Sequence, residues 1–582
     1  MLQPQLRIRD TRLTLLPEQG AMRQVGASEL LLQNSRTEHQ LSGSLELPEA
    51  GDAGALRFAV ETREVPADPL TADYDFYLDL DRLGPELLNL DYLPLRIEAL
   101  SFDTEFWGRF SGGSLEYLQG GLALAQLRTD DPRLPTVEAG RTGFALLRRN
   151  DGYQLQLNDL VFASAGATLE LDQLVLDSSW RDGRPRARAL SGPVFDLAKV
   201  GQWLQVQPFV SEPLRATIER LAPQGAMRNL RLNLPPSGDP GEFSLAGDLE
   251  RVSVEAAWGA PRISGISGRL EADRQGGRLH LDSEAFELFF PELYDQGWQY
   301  DRANGLVRWS LQPDQAVIGS ELLHLGNPSV SAAGRFSLAL PYDRAIQTEL
   351  TLMIGMVDSD GLQTANYVPP EQVGRALHRW LGEAIGGGRL QRGGLVLRTG
   401  TRSLDEGREP TVQMFFDVDD AGLAYQPGWP GIDDGQVFVL LRDRELLVEV
   451  EGGRLLDSVI EHARVYLPGP GAPLQVSGRV AGGAGDIRRL LLESPLRSLV
   501  GEALSPWQLD GSARTDVRLS IPWAVSSRRR LRSRVVSRLD VWYRTNCGWS
   551  SRRSRVSCST ARPGGCAAKG SRDHCSGCRS AP

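Results

Sequence analysis

Apolar and polar residues alternate along most of this chain, and the alternation breaks at clusters of Gly, Asp and Pro. Period two puts successive apolar side chains on one face of a strand, as in half-buried antiparallel sheets. Segments 167–171, 243–254, 305–311, 394–397, 437–441 and 446–450 read this way. Four strands end alike, at Leu45-Glu46-Leu47-Pro48, Leu232-Asn233-Leu234-Pro235, Leu338-Ala339-Leu340-Pro341 and Leu519-Ser520-Ile521-Pro522. Proline has no N–H to donate and closes a strand. Asp273-Arg274-Gln275-Gly276-Gly277 and Arg442-Asp443-Arg444-Glu445 separate apolar runs as hairpin turns.

Strand signals recur about every 12 to 15 residues, which predicts about 35 to 45 strands across residues 1–523. Such a number does not close into one small barrel. The pattern therefore predicts a mainly β fold: a long, repetitive, mostly antiparallel twisted sheet, curled along its length into a trough or groove or split into sandwiches. Helices are few, short and amphipathic. Residues 371–385 carry Val373, Ala376, Leu377, Trp380, Leu381 and Ile385 on one face, after Pro369-Pro370 and before Gly386 to Gly388. Similar stretches at 195–206, 213–221 and 487–504 read as inserted elements or caps on a sheet edge.

A repetitive sheet with an apolar face is a surface, which suits binding and conveyance better than chemistry at a point. Composition sharpens this. The 582 residues are 41% apolar and 24% charged, with no apolar run long enough to cross a membrane and no signal-peptide core in the first ten residues. Residues 1–523 hold 50 basic and 72 acidic side chains, a formal charge of −22, and no cysteine. Residues 524–582 hold all five cysteines, 13 arginines and one lysine against Asp540 and Asp573. Arginine dominates lysine throughout, as GC-rich coding DNA would give, and the alternation stops just after Pro522. The tail is read as out-of-frame translation or a disordered basic segment.

Motifs for point chemistry are missing. There is no Gly-x-Ser-x-Gly elbow, phosphate-binding loop, dinucleotide fingerprint or His-Glu-x-x-His helix. The six histidines, His39, His280, His324, His378, His462 and His574, are scattered, and His280 alternates with Leu279 and Leu281 as a solvent-facing strand residue would. Asp417-Val418-Asp419-Asp420-Ala421-Gly422 begins like a calcium loop, but the bidentate acid required at its twelfth position is Gly428. A strand with an acidic turn explains it better, and Asp358-Ser359-Asp360-Gly361 is read as a turn. His574-Cys575-Ser576-Gly577-Cys578 has metal or redox spacing but no second cysteine pair. No catalytic, cofactor-binding or metal residue is assigned, no cofactor is expected, and the acidic body argues against nucleic acid.

Several phrases together resemble the YhdP family of AsmA-like proteins of Gram-negative bacteria. They are Phe76-Tyr77-Leu78-Asp79-Leu80, the Gly265, Gly268, Leu270 phrase, Phe290-Pro291-Glu292-Leu293, Tyr367-Val368-Pro369 through Trp380-Leu381, Tyr425 through Pro430, and Ser494-Pro495-Leu496. The resemblance implies an inner-membrane protein with one N-terminal anchor helix and a long periplasmic β-structure. It implies non-enzymatic transport of phospholipid between inner and outer membrane, with acyl chains in a hydrophobic β-groove and the two membranes or acceptor proteins as partners. As written, the chain has no signal or transmembrane segment and diverges where a second half should follow. It is read as a fragment lacking the anchor and the C-terminal half. The alternative is a structural β-scaffold or outer-membrane assembly factor, whose apolar face a second layer of large side chains would fill. Which residues line a groove is unknown from sequence.

Overall fold

Alternation becomes strand wherever hydrogen-bonding neighbours are supplied, and here most strands find them in the strands next to or one beyond them in sequence. The computed structural model describes residues 3–15, 23–47, 54–63, 72–83, 96–181, 184–235, 242–400, 410–425, 427–494, 497, 511–521, 536–545 and 548–553. The chain is mainly β and divides into two units, Met1–Pro291 with Arg308–Leu311, and Glu292–Val307 with Gln312–Pro582.

In the first unit fifteen strands, from Gln5–Leu15 to Gly276–Phe289, each pair antiparallel with the next. In the second unit antiparallel pairing runs from Trp298–Leu311 to Ser512–Ile521. Val536–Thr545 and Gly548–Arg553 then add two strands. The described strands up to Ser512–Ile521 number 28, fewer than the expected 35 to 45, because they are long. Ile97–Ser111 has 15 residues and Ser114–Thr129 has 16. Polar residues are also carried inside strands by left-handed backbone, as at Asp159 with φ 49° within Gly152–Ser164.

The turn expectations hold in detail. Asp273 Oδ1 accepts from the amides of Gln275 (2.7 Å) and Gly276 (3.0 Å), closing the Arg262–Asp273 to Gly276–Phe289 hairpin. Asp443 takes φ 53° in the turn from Ile432–Arg442 to Glu445–Glu451. At the four proline signatures the strands end at Leu47, Asn233, Pro341 and Ile521.

Five short helices interrupt the sheets: α1 (Leu197–Gln205), α2 (Glu212–Leu221), α3 (Pro370–Val373), α4 (Arg375–Ala384) and α5 (Ala484–Glu493). Asp196 caps α1, its Oδ1 accepting from Ala198 N (3.0 Å) and Lys199 N (3.1 Å). The single helix expected over 371–385 is two, because Gly374 sits at φ 86° between α3 and α4. The Asp358–Gly361 phrase is a strand end: Glu349–Asp360 finishes there, and Asp360 Oδ1 accepts from Leu362 N (2.9 Å) to start a 3-10 turn over Gly361–Tyr367. Of the helix expected at 487–504, the part beyond α5 falls almost wholly outside the described residues.

An aromatic cluster braces that turn in the second unit. Tyr294 and Trp298 meet at 4.7 Å between ring centres, and Trp298 and Tyr367 at 5.2 Å. Tyr294 Oη donates to the Tyr367 carbonyl (3.2 Å) and Trp298 Nε1 to the Asn366 carbonyl (3.0 Å). Burial pushes the Tyr294 hydroxyl up to about 12 and raises Tyr300 as well. An unfolded tyrosine ionises near 10, so the folded unit holds protons that the unfolded chain releases. The resulting stability is complete below about pH 10 and is lost as pH climbs through the folded values. Thermal melts at about pH 9 and pH 11 should show the second unit destabilised at the higher pH, with these phenols titrating late in absorbance.

Candidate functional site

Residues directly opposite each other in an antiparallel pair point to the same face, so register can be followed from strand to strand. In the first unit one line crosses all fifteen strands: Leu6, Leu32, Leu41, Val60, Phe76, Gly108, Leu118, Leu146, Leu155, Leu176, Leu190, Leu232, Leu245, Ala272 and Gly277. No polar residue interrupts it. In the second unit a similar line joins eleven strands: Ala303, Leu325, Ala332, Met356, Gly393, Phe416, Val439, Val448, Val465, Val476 and Leu519. Each line advances about 4.8 Å per strand.

These rows are not buried as a core would be. Leu6 and Leu41 are exposed, at 50% and 41%, and every other Leu, Val, Phe and Met of the two rows is only half-buried. Among the described residues, the largest side chains below 2% exposure are Gln207, Thr348, Ser164 and Ser283, none of them apolar. Fully burying a Val, Leu or Phe is worth about 1.5–3 kcal/mol, and each row leaves part of that unrealised along its whole length.

The buried apolar residues gather to one side of each row. In the first unit they include Leu171, Phe195, Val252, Ile266, Leu281 and Phe286, and in the second Leu390, Val450 and Ile460. Between row and buried margin runs a line of left-handed residues, Asp10, Asp159, Asn229, Arg251 and Ala285 in the first unit and Asp358, Asp420 and Asp434 in the second. Many coincide with register shifts, at Arg228/Arg231, Leu249/Val252, Ser264/Gly268 and Val418/Ala421. Such bulges bend a strand and re-aim its side chains. In each unit the helices attach at that unit's buried margin, α1 and α2 in the first and α3, α4 and α5 in the second. Helix α1 lies over the row face: Trp203 meets Phe162 at 5.9 Å, and Phe162 is the register partner of Gly140 and, through it, shares the face of Leu124 and Leu118.

The reverse face is polar in the first unit. Cross-strand pairs such as Arg57–Asp79 (2.9 Å) and Arg109–Asp75 (3.2 Å) lie on it, each worth at most about 1 kcal/mol at such exposure. A concavity of about 760 Å³ opens there, with Arg57, Asp79, Asp81, Asp103, Glu105, Arg141 and Asp159 in its lining. The second unit has a concavity of about 920 Å³ on its own reverse face, with a more apolar lining.

Among the described residues the candidate groups of the sequence lie apart from one another. Asp417 pairs with Arg392 (3.1 Å) inside Thr411–Leu423, and Asp420 is a bulge residue of the same strand. His280 is opposite Arg269 and exposed, and His378 Nε2 lies 3.0 Å from the Ala365 carbonyl. Among the described residues no group of three or more His, Cys, Asp or Glu could hold a metal ion, and no helix is long and apolar enough to cross a membrane. The His574–Cys578 phrase lies outside the described residues. Sequence reasoning assigned no groove residue. The rows it missed become visible only once register is known.

The profile of the family described as YhdP protein matches residues 1–536. The Escherichia coli (strain K12) protein named intermembrane phospholipid transporter YhdP is 21% identical over 540 residues, which cover 88% of this chain and 41% of that protein. The chain thus spans about two fifths of the length of this relative. No solved structure matches it.

Proposed function

Because this chain belongs to the YhdP family, we propose that it carries phospholipid between inner and outer membrane, holding acyl chains against its apolar rows without any chemical step. What supports the reading most is the state of those rows: apolar at each of the fifteen and eleven strands they join, with their Leu, Val, Phe and Met side chains half-buried or exposed. A sheet stabilised for its own sake would bury them.

Each methylene taken from water into such a face recovers about 0.8 kcal/mol, so an acyl chain lying along a row regains much of what it loses on leaving a bilayer. The bulge line and the helices at the buried margin close one side of a groove, and the polar headgroup stays wet at the other. Similar side chains at every strand give similar affinity at every step, so no single tight site holds the lipid back. On this reading the β-region works in the periplasm, between the two membranes.

Purifying the chain under detergent-free conditions and extracting it with organic solvent tests this. Phospholipid should be recovered in more than one copy per chain. A lipid-free protein whose row side chains resist hydrophobic probes would favour a structural scaffold instead.

A further inference from the structure

The concavity on the reverse face of the second unit has a chemistry of its own. Its volume, about 920 Å³, falls within the roughly 300–1,000 Å³ of small-molecule sites. One register line through it reads Arg335, Met353, Val396, Gln413, Arg442, and the adjacent one includes Gly355, Gly394, Phe415 and Leu440. These positions alternate with the row residues Met356, Gly393 and Phe416, so they belong to the opposite face. Met353 and Phe415 are exposed, at 36% and 37%, although both are large and apolar.

The two arginines set the site apart. Elsewhere on these strands guanidinium groups meet cross-strand carboxylates, as Arg392 meets Asp417 and Arg398 meets Glu349. Among the described residues neither Arg335 nor Arg442 has a carboxylate partner, and Arg335 turns Nε and Nη2 toward the Met353 sulfur at 3.5 Å. Glu321 is the one acid in the lining, against five in the first unit's concavity. Four strand spacings separate the arginines, about 19 Å, with Met353, Val396 and Phe415 between them.

We propose that this concavity binds a single-chain anionic amphiphile, its carboxylate or phosphate head on Arg335 or Arg442 and its acyl chain across Met353, Val396, Phe415 and Leu440. Arginine presents a planar fork that matches such a head, and the exposed apolar floor matches its tail. The site is separate from the rows and does not depend on lipid transport along them.

The test titrates the full chain, with its co-purified lipid left in place, with oleate below its micelle concentration, followed by calorimetry. A saturable component should appear. It should weaken at least about tenfold in R335Q/R442Q, consistent with the loss of charge-assisted hydrogen bonds, and also in M353D. The row variant V448D should leave that component unchanged, with circular dichroism verifying each fold. The proposal is overturned by absence of saturable binding, by an unchanged R335Q/R442Q, by oleyl alcohol binding as tightly as oleate, or by loss of the component in V448D alone.

Discussion

Aspartates at Leu146, Leu155 and Leu176 together should cut the phospholipid bound to the chain by about tenfold or more and slow its transfer between vesicles to a similar degree. The three residues are consecutive members of the first unit's row, so the change opens a polar gap of about 10 Å between the outermost of them. An acyl chain crossing it loses contact for at least two methylenes, about 1.6 kcal/mol, which is already more than tenfold in affinity. Because all three side chains are half-buried and none is fully enclosed, the fold should survive, with the melting temperature lowered by a few degrees. Fluorescent lipid transfer between donor and acceptor vesicles, beside a melt of the same preparation, separates the two effects. Unchanged lipid content in a folded triple variant would end the transport reading.

The strands of this fold were legible, and the rows were not, for a physical reason. Alternation is local: Phe243 to Val254 displays it in one dimension, and the strand Ser244–Val254 follows. A row is a statement about register across many strands, and register depends on turn geometry and on bulges that no single strand announces. Asp159, Asn229 and Arg251 look like ordinary polar punctuation, yet each takes a left-handed conformation inside a strand. The same ignorance inflated the strand count, since a bulge and a turn share their residue types. Helices were placed within a few residues at α1 and α2, while the break at Gly374 went unseen because the apolar periodicity runs straight through it. The family-like phrase containing Gly265 and Gly268 was visible as a phrase, but its purpose lies in the backbone.

That purpose yields the second large effect: Gly268→Ala should destabilise the first unit by about 3 kcal/mol or more. Gly268 takes φ 144°, and a Cβ there would lie 1.9 Å from the His280 carbonyl oxygen. Its neighbour Gly265, at φ 78°, brings a Cβ within 2.4 Å of the Ala285 oxygen. Both positions belong to the bulged stretch that pairs Arg262–Asp273 with Gly276–Phe289. Forcing a side chain into such a backbone costs about 1–3 kcal/mol in strain, and displacing the packed neighbour costs about 1–3 more. Gly121→Ala is the matched control, since its Cβ would meet nothing within 4 Å and should shift stability by less than about 0.5 kcal/mol. Urea unfolding of the two variants compares them directly. Equal midpoints would show that the bulge line is tolerant of side chains and does not fix the bend.

Within each unit the helices keep to one margin, α1 and α2 in the first and α3, α4 and α5 in the second, and this limits how each sheet can change length. Neighbouring paired strands run antiparallel, so a single added strand would swap the two margins for the rest of its unit and set later helices on the wrong border. Gains and losses must therefore come as whole hairpins, each widening or narrowing a unit's sheet by two strand spacings, about 10 Å. Such a sheet can be extended in fixed increments, without redesigning what lies on either side of the splice.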